Sequence, residues 1–138
     1  AMLAPANPAS CSLLECLGAD TINVSTDLST AQISAIREAT QAPLDIYVES
    51  PDGIGGFVRH FETPELIEHC SPIYIKLGLR NSADIYPYGR HMKSLALSLS
   101  LERVRRSKLL YDLIQREYPD ARMSKAGLKF EDLGVPEI

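Results

Sequence analysis

Two hydrophobic periods alternate along this chain, and that alternation restricts its possible folds more than any other feature. Stretches with apolar residues at helical spacing are separated by short runs of β-branched residues, with turn residues between them. A helix is expected over Ser10 to Leu17, with Ser10 as its N-cap and Gly18 as the left-handed residue beyond its end. Thr21 to Ser25 reads as a short strand. Ser29 and Gln32 have capping-box spacing and open a helix that carries Ile33, Ile36 and Ala39 on one face. Leu44 to Glu49 is a second strand. Thr63 and Pro64 supply a cap and a first-turn proline for the next helix, and Ile73 to Leu77 is a third strand. Ser94 to Leu101 alternates like a strand, but Leu97, Leu101 and Val104 keep helical spacing and Glu102 to Arg116 is rich in helix formers, so a long helix ending near Tyr118 is expected. Leu3-Ala4-Pro5 is a candidate stub of one more strand.

Repeated βα units need right-handed crossovers, so the strands should run parallel with their helix-facing side buried. The side chains of each strand divide into two sets. Ile22, Val24, Ile46, Val48, Ile73, Ile75 and Leu77 form an aliphatic face for the helices. Asn23, Ser25, Asp45, Tyr47, Glu49, Tyr74 and Lys76 form a polar one. In a doubly wound sheet both faces meet helices and both should be apolar. A polar second face favours a barrel lumen over the competing flavodoxin-like layer. A closed (βα)8 barrel takes about 250 residues, and this chain has 138. The expected fold is therefore an α/β parallel (βα)4 half-barrel, TIM-barrel-like, as a single domain over 1–138 with a C-terminal tail at 119–138.

In such a fold the carboxyl ends of the strands line the site. Ser25, Glu49 and Lys76 lie near those ends, and the loops beyond add Asp27, Asp52, Arg59, His60, Arg80, Asn81 and Asp84. Glu49 facing Lys76 would suit acid–base work, and a desolvated lysine can form a Schiff base. The competing structural reading makes Glu49 and Lys76 an ion pair between neighbouring strands. The catalytic candidates are thus Glu49 and Lys76, and the substrate-binding candidates are Ser25, Asp27, Asp52, Arg59, Arg80 and Asn81. The Gly53 to Gly56 loop is read as a turn or lid, with an anion cradle as the functional alternative. It fits neither the P-loop nor the dinucleotide spacing. His60 and His69 are read as surface or packing residues, and Arg103, Arg105, Arg106 and Lys108 as a solvated helix face.

Composition narrows the chemistry by exclusion. The chain is 45% hydrophobic and 23% charged, enough for a core. Its net charge of −4 offers no basic footprint for a nucleic acid. No run of about 18 apolar residues marks a membrane span. Cys11, Cys16 and Cys70 are an odd count without metal-ligand spacing, so buried inert thiols in a reducing cytoplasmic setting are expected, with no metal site and no cofactor identified.

The segments Gly18 to Val24, Tyr47 to Asp52 with Gly55 to Arg59, and Lys76 to Asn81 resemble bacterial proteins grouped with the peptidase U32 family. The resemblance implies a TIM-barrel-like fold, a cytoplasmic bacterial protein and coverage of the C-terminal half of the barrel. The family's signature cysteines and cluster cysteines are not matched by Cys11, Cys16 and Cys70. Two readings follow. One is a U32 peptidase-like half-barrel, as a hydrolase or Schiff-base lyase, with a small anionic or peptide-like ligand at the strand ends. The other is a non-catalytic assembly module that dimerises through open sheet edges and its long helix, with Leu95, Leu99, Leu110 and Ile114 at the interface. Under either, the partner is a second copy or a missing N-terminal half, with no nucleic acid and no membrane.

Overall fold

The computed structural model describes residues 4–83, 85 and 88–124. Within them, helix α1 (Pro8–Cys16) precedes strand β1 (Ile22–Asn23), helix α2 (Thr30–Ala39), strand β2 (Leu44–Glu49), helix α3 (Thr63–Cys70), strand β3 (Ile73–Leu77) and helix α4 (Lys93–Glu117). The strands form one open parallel sheet in the order β1-β2-β3. Helix α1 packs on α2, α2 on α3 and α3 on α4, so the four helices make one layer over one face of the sheet. The parallel α/β arrangement follows the expected order. A fourth strand is not among the described elements: Leu3 lies outside the described residues, and Pro5 contributes only a carbonyl that accepts the Ser25 N–H at 3.2 Å.

The strand face assigned to the helices does form the core. Ile22, Val24, Leu44, Ile46 and Val48 are buried against Ile33, Ile36, Leu66 and Leu110, while Ile73, Ile75 and Leu77 of the edge strand are partly covered. Burial of each such aliphatic side chain is worth about 1.5–3 kcal/mol. The Ser29–Gln32 capping box is present with both of its hydrogen bonds. Helix α1 starts earlier than expected. Its cap is Asn7, whose Oδ1 accepts the Ser10 N–H at 2.9 Å, with Pro8 in the first turn. Gly18 does adopt φ +91° beyond the helix end. Only Ile22 and Asn23 of Thr21 to Ser25 pair as strand. Thr63 does not cap α3, because a 3-10 turn over His60–Glu62 runs directly into that helix and Thr63 already has helical angles.

Helix α4 is continuous for 25 residues, which settles the alternating serine–leucine stretch as helix. Its inward face corrects half of the expected interface. Leu110 is buried and Ile114 packs on the core, so these two are occupied within the chain, while Leu95 and Leu99 stay partly exposed. The outward leucines are different ones. Of the sequence features singled out, Asp84 and residues 125–138 of the tail lie outside the described residues.

Candidate functional site

At the carboxyl ends of the strands, three loops are tied together. Ser25 donates its hydroxyl proton to Asp27 Oδ1 at 2.6 Å, and that bond, with Asp27's own N–H, lowers the Asp27 carboxyl below its ordinary range. The Thr26 hydroxyl donates to the Ile54 carbonyl at 3.1 Å, joining the β1 loop to the β2 loop. Asp52 then accepts the Asn81 N–H at 2.7 Å and lies 3.4 Å from Arg80 Nε, joining the β2 loop to the β3 loop. Ser25, Asp27, Asp52, Arg80 and Asn81 therefore do lie in one linked set of loops. Gly78 permits the close approach, since a Cβ there would fall 2.4 Å from Pro51 Cδ. Asn81 carries φ +55°, a left-handed conformation that asparagine tolerates better than most residues.

The glycine loop is a turn with its amides already engaged. The N–H groups of Ile54 and Gly56 donate to the Pro51 carbonyl, and that of Gly55 to the Asp52 carbonyl. Phe57 N–H donates to Ser50 Oγ at 2.7 Å, and Val58 pairs antiparallel with Glu49. The chain thus doubles back on β2, and the amides of Ile54, Gly55 and Gly56 are not free to cradle an anion.

Glu49 and Lys76 do not face one another. Up to Tyr47, which sits opposite Lys76, the two strands stay in register, and the register then slips so that Glu49 sits opposite Leu77. The slip takes Glu49 out of the polar set, and Val48 and Glu49 are consecutive buried residues. Lys76 Nζ bonds Asp45 Oδ2 at 2.6 Å and lies 5.6 Å from the Tyr47 ring centroid. Glu49 is 1% exposed; its Oε1 bonds Arg106 of α4 and accepts the Arg80 N–H at 3.1 Å. His60 Nε2 lies 3.2 Å from Glu49 Oε2, without the alignment of a hydrogen bond. Neither the facing acid–base pair nor the competing Glu49–Lys76 ion pair is formed; two separate pairs stand instead, one on the open face and one beneath it.

Arg59 is turned inward. It is 5% exposed, its NH1 bonds the Leu28 carbonyl, its NH2 meets Glu62 Oε2 at 2.5 Å, and its N–H donates to the Val48 carbonyl at 2.8 Å. These bonds fasten the doubled-back chain to the start of α2. The helix face read as solvated is also more than that. Glu102 binds both Arg105 and Arg106 at 2.8 Å, which holds its carboxyl down to about 2. Arg106 passes on to Glu49, making a line of alternating charge from the surface of α4 to β2. Neither Arg106 nor Asp45 stands among the candidate site residues: alternation puts Asp45 on the polar face without pairing it to Lys76, and Arg106 lies on a helix face read as solvated. The four-residue spacing of Glu102 and Arg106 is the one local signal for Arg106.

Cys11 and Cys70 are buried, and burial pushes both thiols up, whereas Cys16 is exposed, contrary to the expectation of three buried thiols. Among the described residues no three His, Cys, Asp or Glu side chains gather as a metal site, and no helix is long and apolar enough to cross a membrane. The linked loops can orient a small polar group through Asp52 and Arg80, each half exposed. Compared with protein-family models, with curated proteins and with solved structures, the chain matches none.

Proposed function

We propose that this chain is a half-barrel assembly module, which completes itself against a second copy and gains a small-ligand site at the strand ends when it does so. The observation that carries this reading is the polar sheet face, which no described helix covers. Asn23, Asp45, Tyr47, Tyr74 and Lys76 all project away from the helix layer, and Tyr74 is half exposed. Among the described residues, no strand pairs with the outer side of β1 or of β3. Unpaired parallel edges with a polar face between them suit closure by two further edges, which turns that face into a lumen.

The linked loops of Ser25, Asp27, Asp52, Arg80 and Asn81 would then form half of the mouth, with Arg80 oriented by Asp52 towards a small anionic or peptide-like ligand. Glu49 and Lys76 serve the module as the anchors of α4 and of the β2–β3 pair. The U32-like phrases in the sequence extend the proposal to a peptidase-like ancestry. The test is the mass in solution by light scattering at concentrations up to about 100 μM, where a standard interface is saturated. A dimer is expected, and the half-exposed Tyr74→Glu change should convert it to monomer. A wild-type monomer throughout that range sinks the proposal.

A further inference from the structure

Helix α4 has two apolar faces, and among the described residues only one of them is covered. Residues 99, 102, 106, 110 and 113 follow the inward line that meets α3, the sheet and Glu49. On the opposite side Leu97, Leu101, Val104, Lys108 and Tyr111 recur at steps of four, three, four and three. That is the seam spacing by which one helix packs along another. Leu97, Leu101, Val104 and Tyr111 are 59, 62, 68 and 41% exposed. Lys108 continues the seam, its ammonium bonded to Asp112 and 5.5 Å from the Tyr111 ring centroid.

The charge of the helix says what the seam fits. It holds six basic and three acidic residues, a net of +3 in a chain of −4, which leaves −7 for everything else. Arg103, Arg105 and Lys108 lie around Val104 and are exposed; Glu102, shared with Arg106, and Asp112 meet the second and third, so among the described residues the face keeps a net positive charge centred on Arg103. A second copy laid antiparallel across Val104 would bring these clusters together, and like charges at a seam disfavour pairing. An acidic helix would instead neutralise them while its apolar residues cover the leucines.

We infer that the outward face of α4 docks an acidic amphipathic helix of a partner protein. The surface lies on the side of α4 opposite the residues that meet the core, and it goes beyond the strand-end site proposed above. The test uses a synthetic heptad peptide of three repeats, with Leu at the seam positions and Glu at the flanking ones, and a counterpart with Lys in place of Glu. Fluorescence anisotropy of the labelled peptides should show the acidic one binding at least tenfold tighter, with the difference shrinking as salt rises. Leu101→Glu and Val104→Glu should each weaken that binding tenfold or more. Both side chains are exposed, so the variants should keep the wild-type circular dichroism and melting profile.

Equal affinity for the two peptides, or binding unmoved by Leu101→Glu, overturns the inference. So does binding to vesicles of phosphatidylserine and phosphatidylcholine without binding to the acidic peptide, which would assign the face to a membrane. Self-association that Leu101→Glu abolishes and the acidic peptide does not compete would overturn it in favour of a second copy.

Discussion

Two carboxylate–cation pairs stand a few residues apart on β2, and they do different things. Asp45 and Lys76 meet across the polar face, with 15% and 34% of their side chains exposed. Glu49 meets Arg106 beneath the loops at 1% exposure, with a backbone N–H of the β3 loop and His60 also at its carboxylate. Exposure decides their worth. Water screens and competes with the first, so its net contribution is at most about 1 kcal/mol. The second is costly to assemble, because a buried carboxylate loses its hydration, but it is costlier to leave half made. The outer pair tolerates loss, whereas the inner pair dictates where α4 can lie.

Breaking the inner pair should therefore have the largest effect. Glu49→Ala leaves the Arg80 N–H without its acceptor and Arg106 with Glu102 alone, and is expected to lower unfolding stability by about 3 kcal/mol, read from urea denaturation. An unchanged midpoint would mean that the inner pair carries no more than the outer one. Next comes the approach that holds the β2 and β3 loops together. Gly78→Ala puts a methyl into Pro51 and should cost about 1–3 kcal/mol in the same assay. Lys76→Met on the open face should change stability by less than about 1 kcal/mol, and Asp45→Asn likewise. A larger loss would place that pair in a setting as closed as Glu49's.

The smallest expected effect is a pH slope. Glu102 is held down to about 2 by hydrogen bonds from Arg105 and Arg106, below its ordinary 4.5. A carboxyl with a depressed folded-state pKa adds stability that is complete above the ordinary value and is lost as pH falls towards the folded one. Glu102→Gln should thus flatten the acid limb of stability between about pH 4.5 and 2 and leave neutral pH little changed, as measured by denaturation at a series of pH values. The same slope in wild type and variant would detach Glu102 from the line of charge that reaches Glu49.

The sequence made the outline of the sheet legible where single residues have one strong local role. The β-branched cores of β2 and β3 and the Ser29–Gln32 box marked those elements to the residue. Ends were harder. Ser10 and Asn7 are both good caps, and Pro8 in the first turn is the cue that separates them. At the strand ends, Ser25, Asp27, Asp52, Arg80 and Asn81 were brought together because strand polarity alone places the loops. Glu49 escaped the same reasoning for a physical cause. Alternation holds only while the register holds, and a one-residue slip turns every later side chain over. Its partner Arg106 lies 57 residues further on, at a separation no local pattern spans.

That separation also has a kinetic side. A contact closing so long a stretch of chain gains nothing until both ends are already in place, whereas β2, α3 and β3 assemble over shorter stretches. The Arg106–Glu49 contact is therefore expected to form after the main folding barrier, so that it sets how slowly the native chain opens and hardly affects how fast it folds. Helix α4 would act as the clasp on a structure that has already assembled, and its strength would appear as a lifetime.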